Sequence, residues 1–88
     1  LLQQIRETPK VVEIRVTGHT DASGSDQINQ PLSRARAQKV RDYLVLNGLE
    51  QSNIIVEGFG SSRPVADNAT EAGRSANRRV DITVVSQR

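Results

Sequence analysis

The stretch LSRARAQKVRDYL, residues 32 to 44, has the spacing of an amphipathic helix, and the rest of the chain can be placed around it. At about 100° per residue, the apolar positions fall on one arc that we expect to be buried: Leu32, Ala35, Val40, Tyr43 and, just beyond the stretch, Leu46. Arg36 falls inside this arc, whereas Arg34 and Arg41 lie on the opposite side. An inward arginine near a helix N-terminus loses hydration and faces the positive end of the helix dipole. The sequence therefore predicts a negative partner for Arg36.

The segments on either side of this helix have the pattern of strands. In KVVEIRVTGHT, residues 10–20, Val12, Ile14 and Val16 alternate with polar residues. NIIVEGFG, residues 53–60, and RVDITVV, residues 79–85, are predicted as the second and third strands. A long helix between two strands is the spacing of a parallel crossover unit. The sequence predicts a two-layer α/β sandwich, with one sheet and helices on one face.

Local signals set the ends of the central helix. Pro31 suits the first helical turn, after Asn29 or Gln30 as the N-cap. The helix is expected to run to Asn47 and to end at Gly48.

The connecting segments are predicted from their composition. Residues 1–7 have the pattern of the end of a helix, stopped by the Thr8–Pro9 pair. Residues 18–29 are rich in Gly, Ser, Asp and Asn and are predicted to form a loop. Residues 61–79 are expected to be mostly loop, with one short helical turn that begins near Thr70 and is capped by its hydroxyl.

Size and composition narrow the function. Eighty-eight residues make one small domain, residues 1–88. The absence of Cys removes disulfides, thiolate catalysis and Cys-based metal sites. Ten of the 12 basic residues are arginine, which suits forked recognition of carboxylate or phosphate. No apolar run approaches the ~18 residues of a membrane span, and residues 1–9 do not resemble a secretory signal, so we expect the domain itself to be soluble.

Three functional interpretations can be tested against the sequence: a hydrolase, a metal site and a nucleic-acid-binding module. His19 beside Asp21 invites a hydrolase interpretation, but no nucleophile elbow accompanies the pair, and a lone His without Cys does not make a metal site. We therefore expect no enzyme activity, no metal and no cofactor. A basic nucleic-acid-binding module is the alternative, motivated by Arg78 and Arg79. Against it, the bases are scattered among ten acids, and the only aromatic residues are Tyr43 and Phe59.

A negative partner for Arg36 is available in the preceding loop, which carries Asp21. In a crossover unit this loop lies beside the helix N-terminus, so we expect Asp21 and Arg36 to form a pair. Such a pair can hold a zwitterion, with the Asp on its ammonium and the Arg on its carboxylate. The alternative is that Arg36 snorkels along the helix or makes a purely structural ion pair.

Several motifs occur together and in order: GHTD (18–21), N..LS..RA (29–37), GFG (58–60), P.ADN.T..GR (64–74) and NRRV (77–80). From about Val11 to Val84, the chain closely resembles the OmpA-like peptidoglycan-binding domain. That family includes outer-membrane proteins, peptidoglycan-associated lipoproteins, flagellar stator proteins and secretion-system components. The resemblance implies an α+β sandwich in which a βαβ unit contributes to a mixed sheet.

The resemblance also implies a ligand and a site. The family binds the stem peptide of peptidoglycan non-covalently, centred on diaminopimelate, which carries an extra ammonium and carboxylate. The family's binding Asp falls on Asp21 and its binding Arg on Arg36, while strand parity favours Arg78 over Arg79 as the contributor from the NRR motif. The implied binding residues are Thr20, Asp21, Asn29, Leu32, Arg36 and Arg78.

Members of this family normally begin with a strand rich in Phe and Asp, followed by a full first helix. This chain begins near the end of that helix, so we expect the N-terminal strand to be missing and the open sheet edge to favour a homodimer. The resemblance further implies a periplasmic location, within an outer-membrane or envelope-anchored protein of a Gram-negative bacterium. The parent protein is therefore expected to be membrane-associated.

Overall fold

Five main elements follow one another in the computed structural model, which describes residues 11–86. They are β1 (Val11–Gly18), α1 (Asp26–Leu46), β2 (Ile54–Gly58), α2 (Glu71–Asn77) and β3 (Val80–Ser86), with one 3₁₀ turn at Gln51–Asn53. The helix predicted over residues 1–7, with its stop at Thr8–Pro9, lies outside the described residues. Within residues 11–86, neither helix combines the length and apolar character that crossing a membrane requires.

The strands form one mixed sheet in the order β2-β1-β3. The central strand β1 pairs in parallel with β2 and antiparallel with β3, so that Ile14 lies opposite both Ile54 and Val84. A parallel pair needs a crossover connection, and α1 supplies it. The predicted parallel crossover, the helices packed on a sheet and the mixed sheet are all confirmed.

The core between α1 and the sheet is small and aliphatic. Its buried members are Ile14, Val16, Ala37, Leu44 and Ile54. Because successive residues of a strand point to opposite faces, Ile14 and Val16 of β1 face α1, while Arg15 and Thr17 point to the open side of the sheet.

The face that α1 buries differs from the predicted one. Its buried residues are Asn29, Ser33, Ala37 and Leu44, whereas Tyr43 is 58% exposed and Leu46 86% exposed. The predicted arc of Leu32, Ala35, Tyr43 and Leu46 was therefore wrong by roughly a quarter turn of the helix, at about 100° per residue. Only Val40 of that arc packs against the core.

Close contact between α1 and two strand ends explains the rotation. A Cβ atom placed on Gly18 would lie 1.8 Å from the Ser33 carbonyl oxygen, and one placed on Gly58 would lie 2.6 Å from the Arg34 nitrogen. The helix backbone therefore rests directly on the ends of β1 and β2. Such an approach requires small side chains at the contact, which Ser33 and Ala37 supply and a Leu or Tyr would not.

The boundaries of α1 also differ from the prediction. The helix begins at Asp26 with Ser25 as its N-cap, so Pro31 lies inside the helix rather than in its first turn. The Ser25 carbonyl oxygen accepts from the backbone N–H groups of Ile28 and Asn29, at 3.1 and 2.9 Å. Ser25 is itself a favoured N-cap residue, and this extra turn was missed because Pro31 was taken as the start signal.

The other predicted helix ends are confirmed. α1 ends at Leu46 with Asn47 as its C-cap, and Gly48 follows with a φ of +98°, a conformation that favours glycine. The Thr70 side chain caps α2 by accepting from the Gly73 backbone N–H at 2.9 Å.

The helix–strand approach gives a first prediction. Gly18→Ala should destabilise the chain by more than about 2 kcal/mol, because the new methyl group meets a backbone carbonyl that can move only with α1. Gly48→Ala is the matched control: it has open space around it, and its positive φ should cost only about 1 kcal/mol. Urea unfolding followed by circular dichroism measures both values. Equal losses for the two variants would contradict the packing argument.

The rotated helix face gives a second prediction. Leu44→Ala should cost about 2–5 kcal/mol, because it leaves a cavity in the core. Leu46→Ala should change the free energy of unfolding by less than about 0.5 kcal/mol, because that side chain is exposed. A loss for Leu46→Ala as large as that for Leu44→Ala would restore the originally predicted arc.

Candidate functional site

The first three residues of the loop that leaves β1 are buried although they are polar. His19, Thr20 and Asp21 are each less than a tenth exposed. The His19 N–H donates to the Arg79 carbonyl oxygen and the Thr20 N–H donates to the Gly60 carbonyl oxygen, both at 2.8 Å. The loop is therefore fixed between the segments beside the two neighbouring strands, and it presents Asp21 at the carboxyl end of the central strand.

The Asp21 carboxylate has three partners. Its Oδ1 accepts from the backbone N–H of Ser23 at 2.9 Å and from the Ser23 hydroxyl, and its Oδ2 accepts from Arg78 Nη1 at 2.7 Å. An ionised carboxylate offers about four acceptor positions. Within residues 11–86, one acceptor position on Oδ2 thus remains for a further donor.

These contacts keep Asp21 ionised. The hydrogen bond from the Ser23 hydroxyl and that from Arg78 lower the pKa of Asp21 to about 2. Hydrogen bonds that favour the charged form outweigh the cost of burial here. The loop carries a permanent negative charge at neutral pH.

Arg78 bridges two carboxylates. Its Nη1 bonds Asp21, and its Nη2 donates to Glu71 Oε1 at 2.8 Å. The side chain is 36% exposed, so this bridge lies at the edge of the site. Arg79, by contrast, pairs with Asp81, and the expected choice of Arg78 over Arg79 for the position beside Asp21 agrees with the geometry.

The expected direct pair between Asp21 and Arg36 is wrong. Asp21 pairs with Arg78, and Arg36 makes no hydrogen bond or ion pair with any residue in 11–86. The prediction assumed a helix that starts at Pro31, which would place Arg36 in the second turn. Because α1 starts at Asp26, Arg36 lies about three turns from the helix start. The half-buried Arg36 thus retains unused donors.

The other predicted residues surround the loop. The Thr20 hydroxyl donates to the Asp21 carbonyl oxygen at 2.9 Å, and Asn29 Nδ2 donates to the Ser23 carbonyl oxygen at 2.8 Å. Both side chains therefore fix the loop backbone. Leu32 is exposed and, with Arg36, follows Asn29 along one edge of α1 at the i, i+3, i+7 spacing of a helix face.

Three contributors were missed by sequence reasoning. Ser23 and Glu71 pair with Asp21 and Arg78 as described, and Asn68 Oδ1 accepts from the Ala22 N–H at 3.2 Å. Asn68 lies in the segment 61–79, for which the sequence predicted mostly loop. A usable signal was its position in the P.ADN motif, because an amide in a turn can bond a distant backbone as well as its own.

His19 faces away from this site. Its Nε2 lies 3.2 Å from Thr17 Oγ1 and 3.4 Å from Asp81 Oδ2, and its ring stacks on Phe59. These residues line a cavity of about 350 Å³ on the open side of the sheet. Burial lowers the pKa of His19. Across residues 11–86, no three His, Asp or Glu side chains are grouped closely enough to hold a metal ion.

Comparisons with known proteins agree with this fold. The sequence model of the OmpA family matches residues 1–78. The outer membrane porin F of Pseudomonas fluorescens is 54% identical over 74 residues, which cover 84% of this chain and 23% of that protein. The peptidoglycan-binding protein ArfA of Mycobacterium bovis is 49% identical over 71 residues, which cover 81% of this chain and 22% of that protein. The chain thus spans less than a quarter of the length of these two relatives.

A solved structure shares the fold. The cell wall anchor of the T6SS from Pseudomonas aeruginosa superposes with a TM-score of 0.84 at 36% sequence identity. The match covers 98% of this chain and 62% of that one.

The ionised Asp21 gives a prediction for pH dependence. Its folded pKa of about 2 lies below its usual 3.8, so its stabilising contribution is fully present above pH 4 and is lost as the pH falls towards 2. The difference in unfolding midpoint between the wild type and Asp21→Asn should therefore be constant from about pH 5 to 8 and should shrink below pH 4. Asp42→Asn is the control, because it removes an exposed carboxylate whose one ion pair within residues 11–86 is with Arg41. A difference that persists at pH 2 would contradict the assigned ionisation.

Proposed function

The chain belongs to the OmpA family, and we propose that it binds peptidoglycan non-covalently through the diaminopimelate of the stem peptide, anchoring a cell-envelope protein to the cell wall. The observation that carries the proposal is the carboxylate of Asp21, which is buried, ionised and left with one free acceptor position. Relatives support the proposal, since one is named a peptidoglycan-binding protein and another a cell wall anchor.

The ligand's charges match the site's. Diaminopimelate carries, at the end of its side chain, an ammonium and a carboxylate on one carbon. The ammonium would donate to Asp21 Oδ2, at the position that Arg78 leaves free. The carboxylate would accept from the guanidinium of Arg36, which has five donors, none of them bonded within residues 11–86. Helical side chains lean towards the helix N-terminus, which directs Arg36 towards Leu32, Asn29 and the Asp21 loop.

The hydroxyl groups of this site are engaged in structural hydrogen bonds. Its hydroxyl groups, on Thr20 and Ser23, donate to a carbonyl oxygen and to the Asp21 carboxylate. His19, the only His of the chain, faces the opposite side of the sheet, so neither of these two hydroxyl groups lies beside an imidazole base. We propose that the chain is a binding module without enzyme activity, located in the periplasm as part of a larger envelope protein.

Calorimetry with a soluble muropeptide that carries diaminopimelate tests the proposal. Asp21→Ala and Arg36→Ala should each weaken binding about tenfold or more, because each leaves one ligand charge without its partner. Arg41→Ala, which removes an arginine paired only with Asp42, should bind like the wild type. Circular dichroism must show that each variant is folded. Wild-type affinity in folded Arg36→Ala would overturn the role of Arg36.

Three further experiments separate this function from its alternatives. A muropeptide with lysine in place of diaminopimelate keeps the ammonium and lacks the extra carboxylate, so it should bind more weakly, and equal affinity would refute the proposed ligand. Whole sacculi should release no soluble fragments on incubation with the chain, and release would reveal an enzyme. Tight binding of duplex DNA that falls steeply with salt would favour the nucleic-acid-binding alternative.

A further inference from the structure

We propose that Asn68 is a positioning residue for the loop between β1 and α1, residues 19–25, which we call the binding loop. Asn68 is oriented by Asn77 and holds the backbone at Ala22. It thereby keeps Asp21 in place beside Arg78. The inference rests on the proposed function for the identity of the ligand. Its structural part rests on a set of hydrogen bonds that joins the loop between β2 and α2 to the loop after β1.

Asn77 is the fixed end of this set. It is 0% exposed. Its Oδ1 accepts from the N–H groups of Val65 and Ala66, at 2.8 and 3.0 Å, and its Nδ2 donates to the Ala66 carbonyl oxygen at 3.0 Å and to Asn68 Oδ1 at 2.8 Å. A side-chain amide has two acceptor positions and two N–H donors, and all four are used. The orientation of the Asn77 amide is therefore fully determined.

Asn68 passes this orientation to the binding loop. Its Oδ1 accepts both from Asn77 Nδ2 and from the backbone N–H of Ala22, at 2.8 and 3.2 Å. Its own backbone is held as well, because its carbonyl oxygen accepts from Arg74 Nη1 at 3.0 Å. Asn68 is thus fastened to α2 at two points and extends one acceptor to the residue that follows Asp21.

The contacts close a ring through the site. Ala22 is bonded along the chain to Asp21, and Asn77 to Arg78, while Asp21 and Arg78 form their ion pair at 2.7 Å. Beyond the backbone hydrogen bond from His19 to Arg79 at the start of the loop, two links hold Asp21 and Ala22 to the end of α2: the ion pair and the Asn68 hydrogen bond. A ligand ammonium would share the Asp21 carboxylate with Arg78, so binding would weaken the ion pair between Asp21 and Arg78. It would leave the second link intact, because the Asn68 hydrogen bond to the Ala22 N–H does not use the Asp21 carboxylate.

This division predicts what Asn68 does. With the amide link intact, Asp21 stays in place when its carboxylate is shared with the ligand. Without this hydrogen bond, the loop can shift towards Arg78 or towards the ligand ammonium, whichever attracts Asp21 more strongly. Binding must then also order the loop, which lowers the net binding free energy. Removing Asn68 should therefore weaken binding more than it weakens the fold.

Two variants at one position test the proposal. Asn68→Ala removes the acceptor, whereas Asn68→Asp keeps an oxygen for both the Ala22 N–H and Asn77 Nδ2. With the diaminopimelate muropeptide as the probe, we expect Asn68→Ala to bind about tenfold more weakly and Asn68→Asp to bind at least about as well as the wild type. Asn47→Ala is the matched control, since it removes an amide that bonds only the Tyr43 carbonyl oxygen at the far end of α1.

A second readout does not depend on the ligand. In Asn68→Ala, the amide proton of Ala22 should exchange with solvent about tenfold faster and shift upfield, while Asn68→Asp and Asn47→Ala keep the wild-type exchange at Ala22. Wild-type affinity and exchange in Asn68→Ala would overturn the proposal, as would an Asn68→Asp variant that fails like Asn68→Ala. If the wild type itself does not bind the muropeptide, the proposed function fails, while the exchange of the Ala22 amide still decides whether Asn68 positions the loop.

Discussion

The contact between the backbone of α1 and the glycines at the ends of β1 and β2 determines most of this structure. Because no side chain intervenes at Gly18 and Gly58, the helix lies close enough for Ser33 Oγ to accept from the backbone N–H of Gly60 at 2.9 Å. Gly60 in turn accepts from the N–H of Thr20. The helix, the end of β2 and the start of the loop after β1 are thereby locked into one unit, which holds Thr20 against the sheet.

That lock allows a carboxylate to be buried at the site. A buried charge is costly unless it is hydrogen-bonded and paired, and Asp21 is both, through Ser23 and Arg78. Arg78 comes from the far end of the chain, directly after α2. The short helix α2, capped by Thr70, therefore matters chiefly because it places one arginine beside one aspartate.

The sequence predicted the elements well and their packing less well. Strand alternation and the Thr70 cap are local signals, and β1, β3 and α2 occur where those signals place them. The predicted buried face of α1 was wrong because the prediction followed hydrophobicity, which selected Leu32, Tyr43 and Leu46. The observed contact requires the helix backbone to approach the strands closely, and it uses the small residues Ser33 and Ala37. The Asp21–Arg36 pair failed for a related reason: it depended on where α1 begins, and Ser25 starts the helix well before Pro31. The contact between Arg78 and Asp21 joins residues 57 positions apart, which periodicity cannot detect.

Under the proposed function, the arrangement of charges would favour a zwitterion over a simple ion. A lone cation at Asp21 would compete with Arg78 for the same carboxylate and would gain little, because one ion pair is exchanged for another. A lone anion at Arg36 would have no partner at Asp21, whose negative charge repels anions. A ligand that carries both charges on one carbon satisfies the free acceptor of Asp21 and the unused donors of Arg36 together, so the attraction at one end offsets the repulsion at the other. Specificity then comes from the unfavourable terms that a singly charged ligand would meet. This specificity would also depend on a fixed separation of Asp21 from Arg36. The hydrogen bonds from Thr20, Asn29 and Asn68 hold the loop backbone, so they would contribute to recognition together with the charges.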